Sequence, residues 1–280
     1  GKRRRRRFTV AAVAAACIIL FGIGWMFTPA TVTTPPGEQQ VVRLPDGSAV
    51  EMNSATTLQR SRLFAAVPVW LGGGRSILLE GEAYFRVVPS DDPFVVETND
   101  AIVEVLGTEF NVRARNTLDE AGTAVTLADG RVRISSRSTT DSVSSAPSPT
   151  SVVLSKAGDA AHVKSSGTVT RTDGSDGSSL DHALAWRSSG FAAIDLPLRS
   201  VLDEMEHRYD IEIFPREGVD VRAPINVFYL RGAEPEQILR DICLSQSCGY
   251  RETSRGYALV DRGSASTDDD LISATPDSSN

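Results

Sequence analysis

The residues of this chain that could do chemistry are few: three histidines, three cysteines and some grouped carboxylates. His162, His182 and His207 share no motif with a cysteine or carboxylate at metal-ligand spacing, so no metal centre is expected. His207 falls late in an amphipathic stretch, where an imidazole more often stabilises the C-terminal end of a helix dipole. His182 lies in or beside a predicted linker. Asp46, within Pro45-Asp46-Gly47, has no histidine or second carboxylate near it in sequence and reads as a turn residue rather than an acid catalyst. Gly72-Gly73-Gly74 could suggest a phosphate loop, but no Lys-Ser/Thr pair or helix pattern follows. Asp268-Asp269-Asp270 sits in a polar tail and is expected to be solvated. There is no Ser-His-Asp order, no paired carboxylates in a recognisable context and no cofactor loop. The expectation is therefore a protein that is not an enzyme and takes no cofactor. Cys243 and Cys248 are five residues apart at the exit of a predicted helix. In an oxidising compartment a short turn there can bring the sulfurs together as a structural disulfide, with two free thiols as the alternative. Without a C-x-x-C spacing, redox catalysis is not expected.

The elements that would position these residues begin with a membrane segment. Residues 2–7 (KRRRRR) are all basic, and residues 8–27 (FTVAAVAAACIILFGIGWMF) hold no charge, with Cys17 in their midst. About 20 apolar residues span a bilayer core as a helix, and a basic flank stays cytoplasmic. The expected location is the inner membrane, crossed once, with the N-terminus inside, Trp25 at the outer interface and the body in the periplasm. Thr28-Pro29-Ala30 leaves a cleaved signal peptide as the alternative. From Phe8 onward there are 23 basic residues against 36 acidic ones, a net charge of −13. An acidic body argues against nucleic-acid binding.

The stretch 81–112 alternates at period two in residues 83–87, 94–98 and 102–106, as half-buried strands do. Asp92-Pro93 and Thr98-Asn99-Asp100 supply chain reversals between them. Pro45-Asp46-Gly47 and Asp129-Gly130 read as hairpin turns, and Gly107 as a bulge or corner. Residues 135–151 are rich in Ser, Thr and Pro and read as a flexible loop. After Trp186 the pattern changes to strand, helix, two strands, helix, two strands. Leu198, Val201, Leu202 and Met205 share one helix face, and Ile238, Leu239 and Ile242 another.

Residues 44–58 (LPDGSAVEMNSATTL), 75–79, 81–87 (GEAYFRV), 92–98 (DPFVVET), 105–112 (VLGTEFNV) and 125–134 (VTLADGRVRI) occur in an order that resembles the periplasmic domain of FecR-type regulators. Residues 191–198 and 235–242 (PEQILRDI) resemble the short domain found at the N-termini of secretins and TonB-dependent receptors. The expected fold is thus a membrane-anchored, mainly β N-terminal domain, a β-roll or solenoid-like antiparallel sandwich, followed by a small α+β domain of order βαββαββ. The expected organisation is a cytoplasmic stub at 1–7 lacking the family's anti-sigma domain, a membrane helix at 8–27 and a spacer at 28–36. The β domain follows at 37–164, then a linker at 165–185, the α+β domain at 186–262 and a tail at 263–280.

The resemblance implies an inner-membrane signal transducer. It would relay the state of a TonB-dependent outer-membrane receptor, sensed through that receptor's signalling domain, to a sigma factor in iron-uptake-type regulation. The sigma-factor contact would be made by a cytoplasmic region outside this chain. The partner edge is expected at the strand Ile225, Asn226, Val227, Phe228, Tyr229 and Leu230, which could accept a partner strand. The alternative is an anchored or secreted envelope β-rich binding module without signalling, because fold does not fix function.

Overall fold

The computed structural model describes residues 28–67, 74–115, 122–137, 151–174 and 178–261, with residues 17, 18 and 22. The expectations for 1–7, most of 8–27, the larger part of the 135–151 loop, Gly72-Gly73 and the 263–280 tail lie outside them. Among the described residues no helix is long and apolar enough to cross a membrane.

The long strand β5 (Arg75–Arg86) organises the first domain because it belongs to two sheets at once. Its first half pairs antiparallel with β4 (Thr56–Arg60) and parallel with β6 (Phe94–Glu97). Its second half pairs antiparallel with β3 (Ala49–Met52) and β8 (Glu109–Ala114). The first sheet continues outward through β7 (Ala101–Val105), β10 (Val132–Ser136) and β11 (Ser151–Leu154) on one side, and β1 (Ala30–Thr34) on the other. The second continues through β2 (Gln40–Arg43) on one side and β9 (Gly122–Asp129), β12 (Ala160–Lys164) and β13 (Val169–Thr172) on the other. The result is a sandwich of two sheets, antiparallel except for the β5–β6 pair, joined through one bent strand.

The bend is at Gly81, whose φ is +109°. A Cβ there would stand 2.6 Å from Thr56 Oγ1 and 2.7 Å from Thr56 Cα, so only glycine lets the two strands cross this closely. The threonine hydroxyl donates to Glu82 O and accepts from Glu82 N, both at 3.1 Å, and so closes the polar groups that the bend frees. Between the sheets the alternating residues form one apolar core. Phe85 stacks on Phe110 with ring centres 5.0 Å apart, and Phe94 meets the edges of Phe85 and Phe64. Each fully buried phenylalanine contributes roughly 1.5–3 kcal/mol.

Arg75 ties the connections at the start of β5. It is 6% exposed, bonds Asp46 at 2.9 Å, and donates to the carbonyls of Asp92 (2.9 Å) and Val88 (2.7 Å). Asp46 also accepts from Ser48 N and Oγ, so it is a turn residue with a structural ion pair.

Two sequence expectations change here. Asp129-Gly130 does not close a hairpin: β9 lies in the second sheet and β10 in the first, so the turn carries the chain across the sandwich. The 165–185 stretch, expected as a linker, contains β13 paired with β12 and the helix α1 (Ser178–Leu184).

A 3-10 turn, Ala185–Ser188, leads into the second domain. There β14 (Ser189–Pro197) pairs with β16 (Pro224–Arg231), and β15 (Glu212–Pro215), β18 (Gly256–Asp261) and β17 (Cys248–Thr253) form a second small sheet. The helices α2 (Leu198–Tyr209) and α3 (Pro235–Gln246) bury Leu198, Val201, Leu202, Met205, Ile238, Leu239 and Ile242 in a core distinct from that of the sandwich.

Candidate functional site

The sequence-level candidates for chemistry do not converge. His162 is on β12, beside Gly122. The ring of His182 packs edge-on against Phe228 at 4.5 Å. His207 is near the end of α2, where its carbonyl accepts from Gly37 N at 2.8 Å. Among the described residues no group of three or more His, Cys, Asp or Glu side chains could hold a metal ion. Cys243 and Cys248 are joined by a disulfide across the exit of α3, with Cα atoms 4.4 Å apart and both residues buried.

The strand proposed as a partner edge is β16. Among the described residues its only paired neighbour is β14. Ile225 and Val227 point into the domain core, while Asn226, Phe228 and Leu230 face outward. Phe228 and Leu230 are exposed, as is Ile194 on β14. Tyr229 is half-buried and donates to the Asp241 carboxylate; burial, then the hydrogen bond and charge of Asp241, push its phenol well up. Asn226 Oδ1 accepts from Asp195 N at 2.9 Å across an irregularity in the β14–β16 register.

A second feature was missed at the sequence level: the seam between the domains. In β5 the alternation breaks down, because Gly81, Glu82, Ala83, Tyr84 and Phe85 are all buried. Ala83 and Phe85 face the sandwich core, and Glu82 and Tyr84 face the C-terminal domain. Trp186 Nε1 donates to Asn111 Oδ1 at 3.2 Å, and Asn111 Nδ2 donates to Glu82 Oε1 at 2.9 Å. Asn53 Nδ2 completes the chain on Glu82 Oε2, also at 2.9 Å. Beside this relay, Arg187 holds Glu51 with both nitrogens at 2.6 and 2.9 Å and lies 4.0 Å above the Tyr84 ring. Burial, then the Glu109 hydrogen bond, push the Tyr84 phenol up to about 12.

At the other end of the seam Glu204 of α2 meets Arg115 at 3.1 Å and Arg113 at 3.6 Å. Burial alone would raise the Glu204 carboxyl, but Arg115, Arg113, His207 and Arg208 outweigh it and hold the group below the usual carboxylate range. Glu82 moves the other way, pushed up by burial and then by the charge of Glu204. Between these ends lies a cavity of about 180 Å³ lined in part by Glu82, Trp186, Ile194, Glu204 and Arg208. The signal that could have exposed the seam is the pair Glu82 and Tyr84, a charge and a phenol on the outward face of a strand whose other face is core.

This arrangement is a two-sheet β sandwich carrying an α+β module docked through hydrogen bonds and ion pairs. Residues 30–133 match the family model described as FecR protein. This part of the chain is therefore similar to a FecR domain. Two crystal structures of candidate anti-sigma factors from Parabacteroides distasonis ATCC 8503 are similar over both domains. One is 24% identical over 84% of this chain and 99% of that chain, with a TM-score of 0.69. The other is 25% identical over 83% and 99%, with a TM-score of 0.68. A comparison with curated proteins finds no match.

Proposed function

We propose that this chain is the periplasmic, partner-sensing part of a single-pass inner-membrane regulator of a sigma factor. It would read the state of a TonB-dependent outer-membrane receptor through that receptor's signalling domain. The observation that carries this reading is a FecR-type match at 30–133 followed by an α+β module whose strand β16, among the described residues, pairs along one edge alone. An exposed edge offers backbone donors and acceptors to an incoming strand, and Phe228 and Leu230 beside it offer apolar contact. The uncharged run at 8–27 with its basic flank supports the anchor and its orientation. The inner partner that this reading implies is a sigma factor, and iron uptake is the process that the receptor class suggests.

The test is calorimetric titration of the chain with the signalling domain of a TonB-dependent receptor from the same organism. Val227→Pro removes a backbone N–H from β16, and Leu230→Asp alters the exposed face while sparing the core. Each should weaken binding at least about tenfold, equivalent to 1.4 kcal/mol. Unchanged affinity in both variants rules out the edge, and a parent chain that does not bind the receptor domain rules out the transducer reading.

A further inference from the structure

We infer that the 3-10 turn Ala185–Ser188 is a mechanical coupler: it positions the open edge of β16 by gripping the sandwich domain, so that edge occupancy and domain docking control one another. The inference rests on the reading of β16 as the partner edge.

Three successive side chains of the turn hold three different things. Trp186 enters the Asn111–Glu82–Asn53 relay on the sandwich. Arg187 clamps Glu51, which also pairs with Arg86, and covers Tyr84. Ser188 Oγ donates to the Leu230 carbonyl of β16 at 2.8 Å. The next residue, Ser189, opens β14 in register with Arg231, and its carbonyl accepts from Ala233 N. Immediately before the turn, α1 places His182 against Phe228 on the outward face of the same edge strand. The path from β5 to β16 is therefore a few covalently consecutive residues, each with a specific partner.

The seam that the turn closes is suited to opening. Each domain has its own apolar core, and neither core includes Trp186 or Tyr84. Hydrogen bonds and ion pairs join the two surfaces, around the buried Trp186 and Tyr84 and beside a cavity of about 180 Å³. Separation would expose little of either core, so a partner at β16 could shift the seam by differential binding alone. By linkage, the effect of docking on partner affinity equals the effect of the partner on docking.

The test is hydrogen–deuterium exchange of the full chain, reading peptides of β16 and α1 against peptides of α2, α3 and the sandwich strands. Arg187→Gln should speed exchange in β16 and α1 by about tenfold or more, the equivalent of 1.4 kcal/mol, while α2, α3 and the sandwich keep their protection. The exchange of charges in Glu51→Arg with Arg187→Glu should restore protection in part. The coupler is overturned by unaltered exchange in β16, or by acceleration spread evenly over the whole C-terminal domain, which would make Arg187 an ordinary stabilising residue. Neither readout needs the receptor, so they stand even where the receptor domain fails to bind. Where it does bind, Arg187→Gln should change its affinity and the charge exchange should reverse that change.

Discussion

Replacing Glu204 by glutamine isolates the electrostatics of the domain seam. The side chain keeps its length but loses the charge that faces Arg115 at 3.1 Å and Arg113 at 3.6 Å. Arg115 has only 6% of its side chain exposed, and its one other described bond is to the Ser54 carbonyl at 2.8 Å. Removing one partner of a buried pair typically costs 3–5 kcal/mol, because the remaining charge is left unmatched. Arg113 keeps 20% of its side chain in water, so the low end of that range applies, about 3 kcal/mol. Urea unfolding at pH 7 measures this loss. A Glu204→Gln variant within about 0.5 kcal/mol of the parent, the scatter of an ordinary surface substitution, would refute the argument that Glu204 matches the buried charge of Arg115.

The same variant has a pH signature. Glu204 lies below the usual carboxylate range when folded, so its stabilisation is present above the unfolded value of about 4.3 and is lost as pH falls through the folded value. Glu82 is raised, so its contribution has the opposite sense: present below the unfolded value and lost as pH rises through the folded one. The parent should therefore gain stability on mild acidification, as Glu82 takes up a proton, and lose it at lower pH as Glu204 does. Glu204→Gln removes the second limb. It also shrinks the first, since the Glu204 charge is one cause of the rise at Glu82. Unfolding curves from pH 7 downward distinguish the two limbs, and parallel profiles for parent and variant would count against both assignments.

Reduction of Cys243–Cys248 should destabilise the C-terminal domain by about 2 kcal/mol, the chain-entropy value for so short a loop, while leaving the sandwich unaffected; urea curves with and without a reductant check this. Gly81→Ala should cost well over the 1 kcal/mol of an ordinary glycine replacement, because the new Cβ meets Thr56 backbone and side chain at 2.6–2.9 Å and φ is +109°. Loss of soluble protein or a large fall in the unfolding temperature is the expected outcome, and a tolerated alanine would contradict the crossing of β4 and β5.

The parts of this fold that were legible in the sequence are those that local chemistry decides. Period-two alternation at 94–98 and 102–106 became β6 and, one residue earlier, β7, and Asp46-Gly47 turns β2 into β3 because Asp46 accepts from Ser48 N and Oγ. The helix faces built on Leu198, Val201, Leu202 and Met205, and on Ile238, Leu239 and Ile242, followed from their spacing. Asp129-Gly130 has the same local chemistry as Asp46-Gly47 but a different outcome, because the sheet that each flanking strand joins is settled by distant pairing. Helix α1 was hidden by its Ser/Gly-rich approach, and a run of seven residues is too short to declare itself by periodicity.

The seam was illegible for a related reason, and its chemistry explains why it is polar. Trp186 and Asn111 are 75 positions apart, and Arg187 and Glu51 are 136 apart. No local pattern records such pairs. An apolar seam would have merged the two cores into one and fixed the domains permanently. Hydrogen bonds and ion pairs give the docked state a single register, since each donor has one matching acceptor, yet add little net attraction beyond what water supplies to the separated faces. Directional but reversible contact is what a relay requires: the docked arrangement is specific, and a partner need supply only a few kcal/mol of differential binding to displace it. On this reasoning the outward-facing Glu82 and Tyr84 of β5, which look misplaced on a buried strand, are the residues that let one domain respond to the other.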